Sequence, residues 1–418
     1  MVSPRWIRAG WLIDGSGGVL RRDCLLRMEE GLITGVAPFE PAAVGNAELL
    51  DLKACTLLPC LVDCHVHLTW SGSSDPGLRA AQLSAERKTA FAAIRRHLDQ
   101  HLACGVVAVR SGGDAGGHLA AFRQAGGDAA VQPVLFKTAG KAWHAKGRYG
   151  RLIGRPPDRG RSLADEIMRV SRQVDHIKVV NSGLNSLKHF GRETPVQFDE
   201  AVLRTAFGVA RRLGVGIMVH ANGRSAVSQA VQAGADSIEH GFFMGRGNFA
   251  RMAEERVTWV PTAVTMQAYG EHLAGTAHLA NVAPPVQADM DADVCRRNLE
   301  HQLEQIRLAH QAGVTLAVGS DAGSLGVHHG QAVAQEMRLL ITAGLSLSQA
   351  VAAASKNGAK LLGLTGQGEL RCGYRADFIA VPGKPRCLPE ALAGPLQVFH
   401  KGSRIYNRFD SDTNSNFD

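Results

Sequence analysis

The sequence holds no run of about 18 apolar residues, so no membrane-spanning helix is expected. Its first stretch, MVSPRWIRAGWLIDG, has neither a short apolar core nor a small-residue cleavage site, which argues against a secretory leader. CxxC pairs are absent: the eight cysteines stand at 24, 55, 60, 64, 104, 295, 372 and 387. A chain of 418 residues needs no disulfide staples, so reduced thiols in a cytoplasm are expected. No nucleic-acid-binding motif is present, and the basic residues are scattered apart from one loop. These absences leave a cytoplasmic enzyme of bacterial type as the expectation.

What is present suits a large packed core. Hydrophobic residues make up 45% of the chain and charged residues 20%, a globular composition. Lys and Arg together number 46 against 38 Asp and Glu, a formal charge of +8. A basic excess of this size suits anionic ligands without requiring a polyanion.

Residues 5 to 55 read as short strands broken by Gly and Pro turns, and residues 366 to 408 read the same way. The two ends, 1–56 and 364–408, are expected to pair into one small β-sandwich, with the polar tail 409–418 fraying beyond it. Between them, 57–363 alternates apolar strands with amphipathic helices, the α/β pattern of a parallel sheet. Eight strand candidates appear: LLPCLVDCHVHL, GVVAVRS, PVLFKTAG, HIKVVNSG, GIMVHANG, SIEHGF, VTWVPTA and TLAVGSDAG. Helix candidates such as DEAVLRTAFGVARRLG and RSAVSQAVQAG each close on Gly. Eight alternations predict a closed (β/α)8 TIM barrel. A doubly wound open sheet competes, but it would scatter the residues considered next.

Function in a barrel collects at the C-terminal ends of the strands. There the first strand carries His65 and His67, the fourth Lys178, the fifth His220, the sixth His240 and the eighth Asp321. Side chains alternate along a strand, so His65 and His67 share one side, where two imidazoles suit zinc or a similar ion. Such a pair alone is a weak signal; four further ligand types on other strand ends make it strong. Lys178 interrupts the apolar run IKVV, where a bare ammonium is costly to bury. It either loses its charge, for instance by reacting with carbon dioxide to form a carbamate, or snorkels to the barrel mouth or pairs with a carboxylate. Asp321, in GSDAG, can bind a metal and carry a proton from water to a leaving amine, or it can be a helix N-cap.

LLPCLVDCHVHL, SIEHG, AVGSDAG and GYRADFIAV resemble the strand-1, strand-6, strand-8 and C-terminal segments of the amidohydrolase superfamily. HIKVVNSG followed by GIMVHANG resembles its binuclear branch with a carbamylated strand-4 lysine. That branch includes prolidase-like and dipeptidase-like enzymes and borders on imidazolonepropionase-like proteins. The resemblance implies two divalent ions, expected to be zinc. His65, His67 and Asp321 would hold the more buried ion and His220 and His240 the more exposed one, with carbamylated Lys178 and a hydroxide bridging them. His144, in KAWHAKG, matches a histidine that polarises the scissile carbonyl. His329 matches a recurring histidine to which no role is assigned. Cys60 stands where the family usually has Gly, Ser111 where an acidic residue is frequent, and Asn222 where relatives carry His or an aromatic that reaches towards substrate.

The loop 141–161 carries seven Lys and Arg against one Asp, and Arg148 and Arg151 are candidates to clamp a substrate carboxylate. For most of the seven, a solvated or subunit-facing position is the better expectation. The insert from Ala263 to Met290, with Tyr269 and the Pro284–Pro285 pair, reads as a lid over the site or as a packing loop. Cys64 should point away from the metals. The leading expectation is an amide hydrolase acting on a dipeptide or N-acyl amino acid, as a homo-oligomer without nucleic-acid or membrane partners. A mononuclear deaminase or imidazolone-type hydrolase competes, although deaminases want His-x-x-Glu after strand 5 and here His220 is followed by Ala-Asn-Gly. A non-catalytic homologue competes too, although such proteins usually lose ligands.

Overall fold

The computed structural model describes residues 5–127, 133–277, 285–394 and 396–408. The tail 409–418, His278 and Pro284 lie outside them. The two chain ends pair in one seven-stranded sheet; the described residues show this single sheet in place of the expected two-layer sandwich. The strand order is Ser403–Asn407, Gln397–His400, Phe378–Pro382, Leu49–Pro59, Arg5–Leu12, Arg21–Glu29, Leu32–Pro38. The central strand Leu49–Pro59 runs parallel to Arg5–Leu12 and antiparallel to Phe378–Pro382, with Leu58 opposite Ile379. Alternation turns Ile7, Ala9, Cys24, Leu26, Phe378 and Phe399 into one apolar cluster. Each large side chain buried this way contributes roughly 1.5–3 kcal/mol.

After Pro59 the chain passes through the buried Cys60 straight into the strand Leu61–Val66. That strand pairs in parallel with Val106–Ser111, which pairs with Leu135–Lys137. A second parallel sheet runs Thr258–Val260, Ser237–His240, Gly216–Ala221, His176–Val180, Ala142–Trp143, Gly154–Arg155. The expected strands one to seven are therefore strands. The last two members lie within the basic loop 141–161, which the sequence did not mark as extended.

The eighth expected strand, TLAVGSDAG, makes only isolated bridges, Leu316 to Trp259 and Ala322 to Val66. It still joins the two parallel sheets. Ala317 N donates to Trp259 O (2.9 Å) on one side, and Cys64 N donates to Val318 O (2.9 Å) and Asp321 N to His65 O (2.7 Å) on the other. Asp321 takes a left-handed φ of 56°, which ends the extended run.

Helices between the strands bury one stripe. In Glu200–Arg212, Leu203, Ala206, Phe207 and Ala210 recur at helical spacing, and Gly214 closes the turn at φ 69°. The insert 263–290 is helical where it is described: Val264–Ala277 and the start of Pro285–Gln311 replace the irregular loop expected from its length. Among the described residues, no helix is long and apolar enough to cross a membrane.

Candidate metal centre

The strand register aligns the ligands. Lys178 lies opposite Met218, Val180 opposite His220, and Ala221 opposite His240. All six predicted ligands line one cavity. Donor atoms of His65, His240 and Asp321 lie within 4.8 Å of one another. Asp321 Oδ1 is 3.2 Å from His67 Nε2 and 3.5 Å from His65 Nε2, and the His220 and His240 rings are 4.5 Å apart. His240 and Asp321 both take left-handed backbone, φ 68° and 56°. Such conformations are uncommon outside glycine and cluster at functional sites. Gly112 leaves room for the rings, because a Cβ there would stand 2.6 Å from His65 Nε2.

Each histidine is anchored on one nitrogen. His65 Nδ1 donates to Glu239 Oε2 (2.8 Å), and His67 Nδ1 meets Gly113 O at 3.2 Å. His220 uses Nε2 on Gly183 O (3.1 Å), and His240 uses Nδ1 on the Thr262 hydroxyl (2.7 Å). A neutral imidazole that spends its N–H on an anchor presents the other nitrogen as a lone pair, the form that binds metal. Behind His65, Glu239 Oε1 accepts from Arg110 Nη2 (2.8 Å) and from Ser237 Oγ (2.5 Å), all three residues being buried. Arg110 Nε also donates to Cys64 O (2.8 Å).

Charge is concentrated at the centre. Lys178 is 1% exposed; among the described residues its Nζ has no hydrogen-bond partner, and Asp321 Oδ1 has only the contacts to His67 and His65. Burial pulls the Lys178 ammonium down to about 8, against the pull of Glu239 and Asp321. Burial and the Lys178 charge hold His220 down at about 4, and the same two effects push His65 well below the ordinary imidazole range. Burial alone would raise the Asp321 carboxyl, but His65, His67 and Lys178 bring it to about 2. Stripped imidazoles, a bare amine and a carboxylate oxygen, all buried, are a donor set that fits metal ions better than it fits an empty polar pocket.

The family model described as "Amidohydrolase family" matches residues 56–408. The chain belongs to the amidohydrolase family. It is 28% identical over 226 residues to an uncharacterized protein of Mycobacterium tuberculosis, a match spanning 54% of this chain and 56% of that relative. Ochratoxinase of Aspergillus niger is 25% identical over 440 residues, spanning 96% of this chain and 86% of its own. Among solved structures, a Xaa-Pro dipeptidase with bound methionine superposes with a TM-score of 0.77 at 26% identity, spanning 97% of this chain and 100% of that one.

In this amidohydrolase the predicted substrate residues divide. Asn222 and Tyr269 line the cavity. The Asn222 amide is engaged by backbone, its Oδ1 accepting from Phe242 N (3.0 Å). Arg148 and Arg151 are exposed and are not among the lining residues, and Arg148 donates instead to Pro195 O (3.2 Å). His144 is buried close by, with Nδ1 on Ala145 O (2.9 Å) and Nε2 unpartnered, but it too is not among the lining residues. The loop instead presents Tyr149, whose ring lies 5.4 Å from that of His220. Asp321 caps no helix, since the next one begins at Gln331. Cys64 packs with Val62, Ala108, Val260 and Ala317, away from the ligands, and burial pushes its thiol up. His329 reaches Trp70 O through Nε2 (2.6 Å) and stacks on His97 at 4.1 Å.

Sequence reasoning missed Glu239, Arg110 and Arg79. Arg110 carried a signal, a charge inside an otherwise apolar strand, as Lys178 is; Glu239, in the short polar strand Ser237–His240, and Arg79, on the exposed helix Pro76–Leu83, carried none.

Proposed function

We propose that this chain is a metal-dependent hydrolase that cleaves the C–N amide bond of a small substrate, a dipeptide or N-acyl amino acid, at the mouth of a (β/α)8 barrel. In this reading residues 57–363 form the barrel and the two chain ends, 1–56 and 364–408, form the small β-domain beside it. The observation that carries the proposal is the convergence of His65, His240 and Asp321 donor atoms in the cavity that also holds the buried Lys178, whose Nζ has no hydrogen-bond partner among the described residues. The donor set suits two divalent ions, expected to be zinc: His65, His67 and Asp321 for one, His220 and His240 for the other. When bound, such ions lower the pKa of water and polarise the substrate carbonyl.

The chain's own residues supply the rest. The Lys178 amine, drawn down to about 8, has a neutral fraction near pH 7 that can add to the carbon of CO2 and release one proton. The resulting carbamate offers two anionic oxygens and removes the buried positive charge. Asp321 accepts the proton of the attacking water and passes it to the amide nitrogen as the C–N bond breaks. His144 is the candidate to polarise the carbonyl; reaching the cavity would require its Nε2, which has no partner, to turn inward. Six of the eight cysteines are buried and all are free, which supports a reducing, cytoplasmic compartment.

Metal analysis of the purified protein, combined with a screen of dipeptides and N-acyl amino acids, tests the reading. Two ions per chain and release of a free amino acid are expected. Full activity after complete metal removal, or no amide cleaved by the loaded protein, would refute it.

A further inference from the structure

We infer that Arg79 seats the carboxylate of the substrate, on the side of the leaving amine. This rests on the amide-hydrolase reading above and deepens it.

Apart from Lys178 and the histidines, Arg79 is the one cationic side chain among the described lining residues of the cavity. The basic loop 141–161, where the sequence placed the anchor, sends none of its Lys or Arg side chains to that wall. Arg155 of that loop is paired with Asp158 and Glu166. Arg79 has no carboxylate partner among the described residues. Among the described residues, its only side-chain hydrogen bonds run from Nη1, to Ser73 O (3.2 Å) and Gly323 O (3.3 Å). Nε and Nη2 therefore remain as a free edge, the two-pronged face that matches a carboxylate.

Position gives the polarity. Gly323 O, which holds Arg79, is two residues beyond Asp321, the proposed proton carrier to the amide nitrogen. The anchored cation thus stands beside the nitrogen end of the scissile bond, where an amino acid's carboxylate is one carbon away from that nitrogen. Water's oxygen goes to the acyl carbon, the nitrogen takes the proton, and the amino acid leaves with its carboxylate still at Arg79. Tyr269 closes this corner, and its hydroxyl feels the Arg79 charge as a downward pull opposing the upward push of burial. Beside the polar Asn185, Asn222, Thr265 and Ser324, the wall carries a set of large apolar side chains, Trp70, Leu184, Leu187, Phe242 and Met266. The substrate class is therefore an amide of an amino acid with a free carboxylate and at least one bulky apolar group.

The test uses the metal-loaded protein with two probes, N-acetyl-phenylalanine and N-acetyl-phenylalaninamide, reading cleavage of the acetyl amide. The wild type should favour the acid, and Arg79→Gln should lose about 10- to 100-fold of that preference, with Arg79→Lys keeping part of it. Equal losses on both probes would mean that Arg79 only staples its helix to the loop after Asp321, and would overturn the inference. Loss of the preference in Arg148→Gln instead would overturn it in favour of the basic loop. If the wild type cleaves neither probe, the hydrolase reading is in question, and calorimetric binding of the same two compounds decides on Arg79. Tighter binding of the acid that Arg79→Gln erases supports the seat, and equal binding of both refutes it.

Discussion

Glu239 Oε2 lies 2.8 Å from His65 Nδ1, joining a carboxylate buried behind the proposed metal ligands to the first of them. Its other oxygen is held by Arg110, and so the imidazole is oriented by a charge pair that cannot reach water. Glu239→Gln keeps the shape but removes the charge. Metal affinity should fall about 10- to 100-fold, as for other groups that orient a ligating histidine. Competition against a chelating dye measures this, and an unchanged affinity would dismiss Glu239 as an orienting group.

Arg110→Met breaks the same pair from the other side and strands Glu239 in a dry site. A loss of roughly 3–5 kcal/mol in unfolding free energy is expected. Chemical denaturation of the metal-free protein reads it directly, and a loss under 1 kcal/mol would mean that the pair contributes little.

Lys178→Ala should abolish turnover and lower the bound-metal count. Added short carboxylic acids should restore part of both, by standing in for the missing carbamate. Wild-type activity in this variant would remove the carbamate from the mechanism.

Asp321→Asn should leave the fold intact and reduce turnover by at least about 100-fold, the lower range attributed to positioned proton transfer. Circular dichroism together with initial rates checks both halves. A normal rate would take the proton-carrying role away from Asp321.

Acid should destabilise the protein through its buried neutral histidines. Burial takes His97 from an ordinary 6.5 to about 4, while its Nδ1 donates to Leu68 O (2.8 Å). Between those two values the unfolded chain carries a proton on this ring and the folded chain does not, so stability falls as pH falls through that window. The slope is about 1.4 kcal/mol per pH unit for one such group, and it vanishes above the upper value. His97→Gln should flatten the stability–pH curve by that amount between pH 6 and 5. Urea titrations of the two proteins are the measurement, and parallel curves would contradict it.

The convergence of the proposed ligands on one cavity is legible in part: His65, His220 and His240 stand at or near strand ends, where period-two alternation and apolar flanks leave little freedom, whereas Lys178 lies mid-strand and enters the set only through the family resemblance. Tyr269, from the insert expected as a lid or a packing loop, lines the cavity from the helix Val264–Ala277. The strand-8 segment is expected as a full strand, but it makes only isolated bridges. Glu239 stands beside His240 in SIEHG, and its place behind His65 depends on contacts with Arg110 and His65 from other strands, which its own segment does not encode. The basic loop misled for a different reason: sequence density of charge says nothing about direction, and Arg148 and Arg151 point outward. Arg79 was invisible because its partners, Ser73 O and Gly323 O, are backbone atoms that no side-chain pattern records.

The left-handed backbone at His240 and Asp321 decides which substitutions can be interpreted there. At such a φ, Asn and Gly enter with little conformational penalty, whereas branched side chains add about 1–2 kcal/mol of crowding. A valine or isoleucine at either site would therefore report a misfit of the chain together with a lost ligand, and the two could not be separated. Any saturation library covering these codons should score asparagine as its chemical probe and read the β-branched members as tests of tolerance to strain.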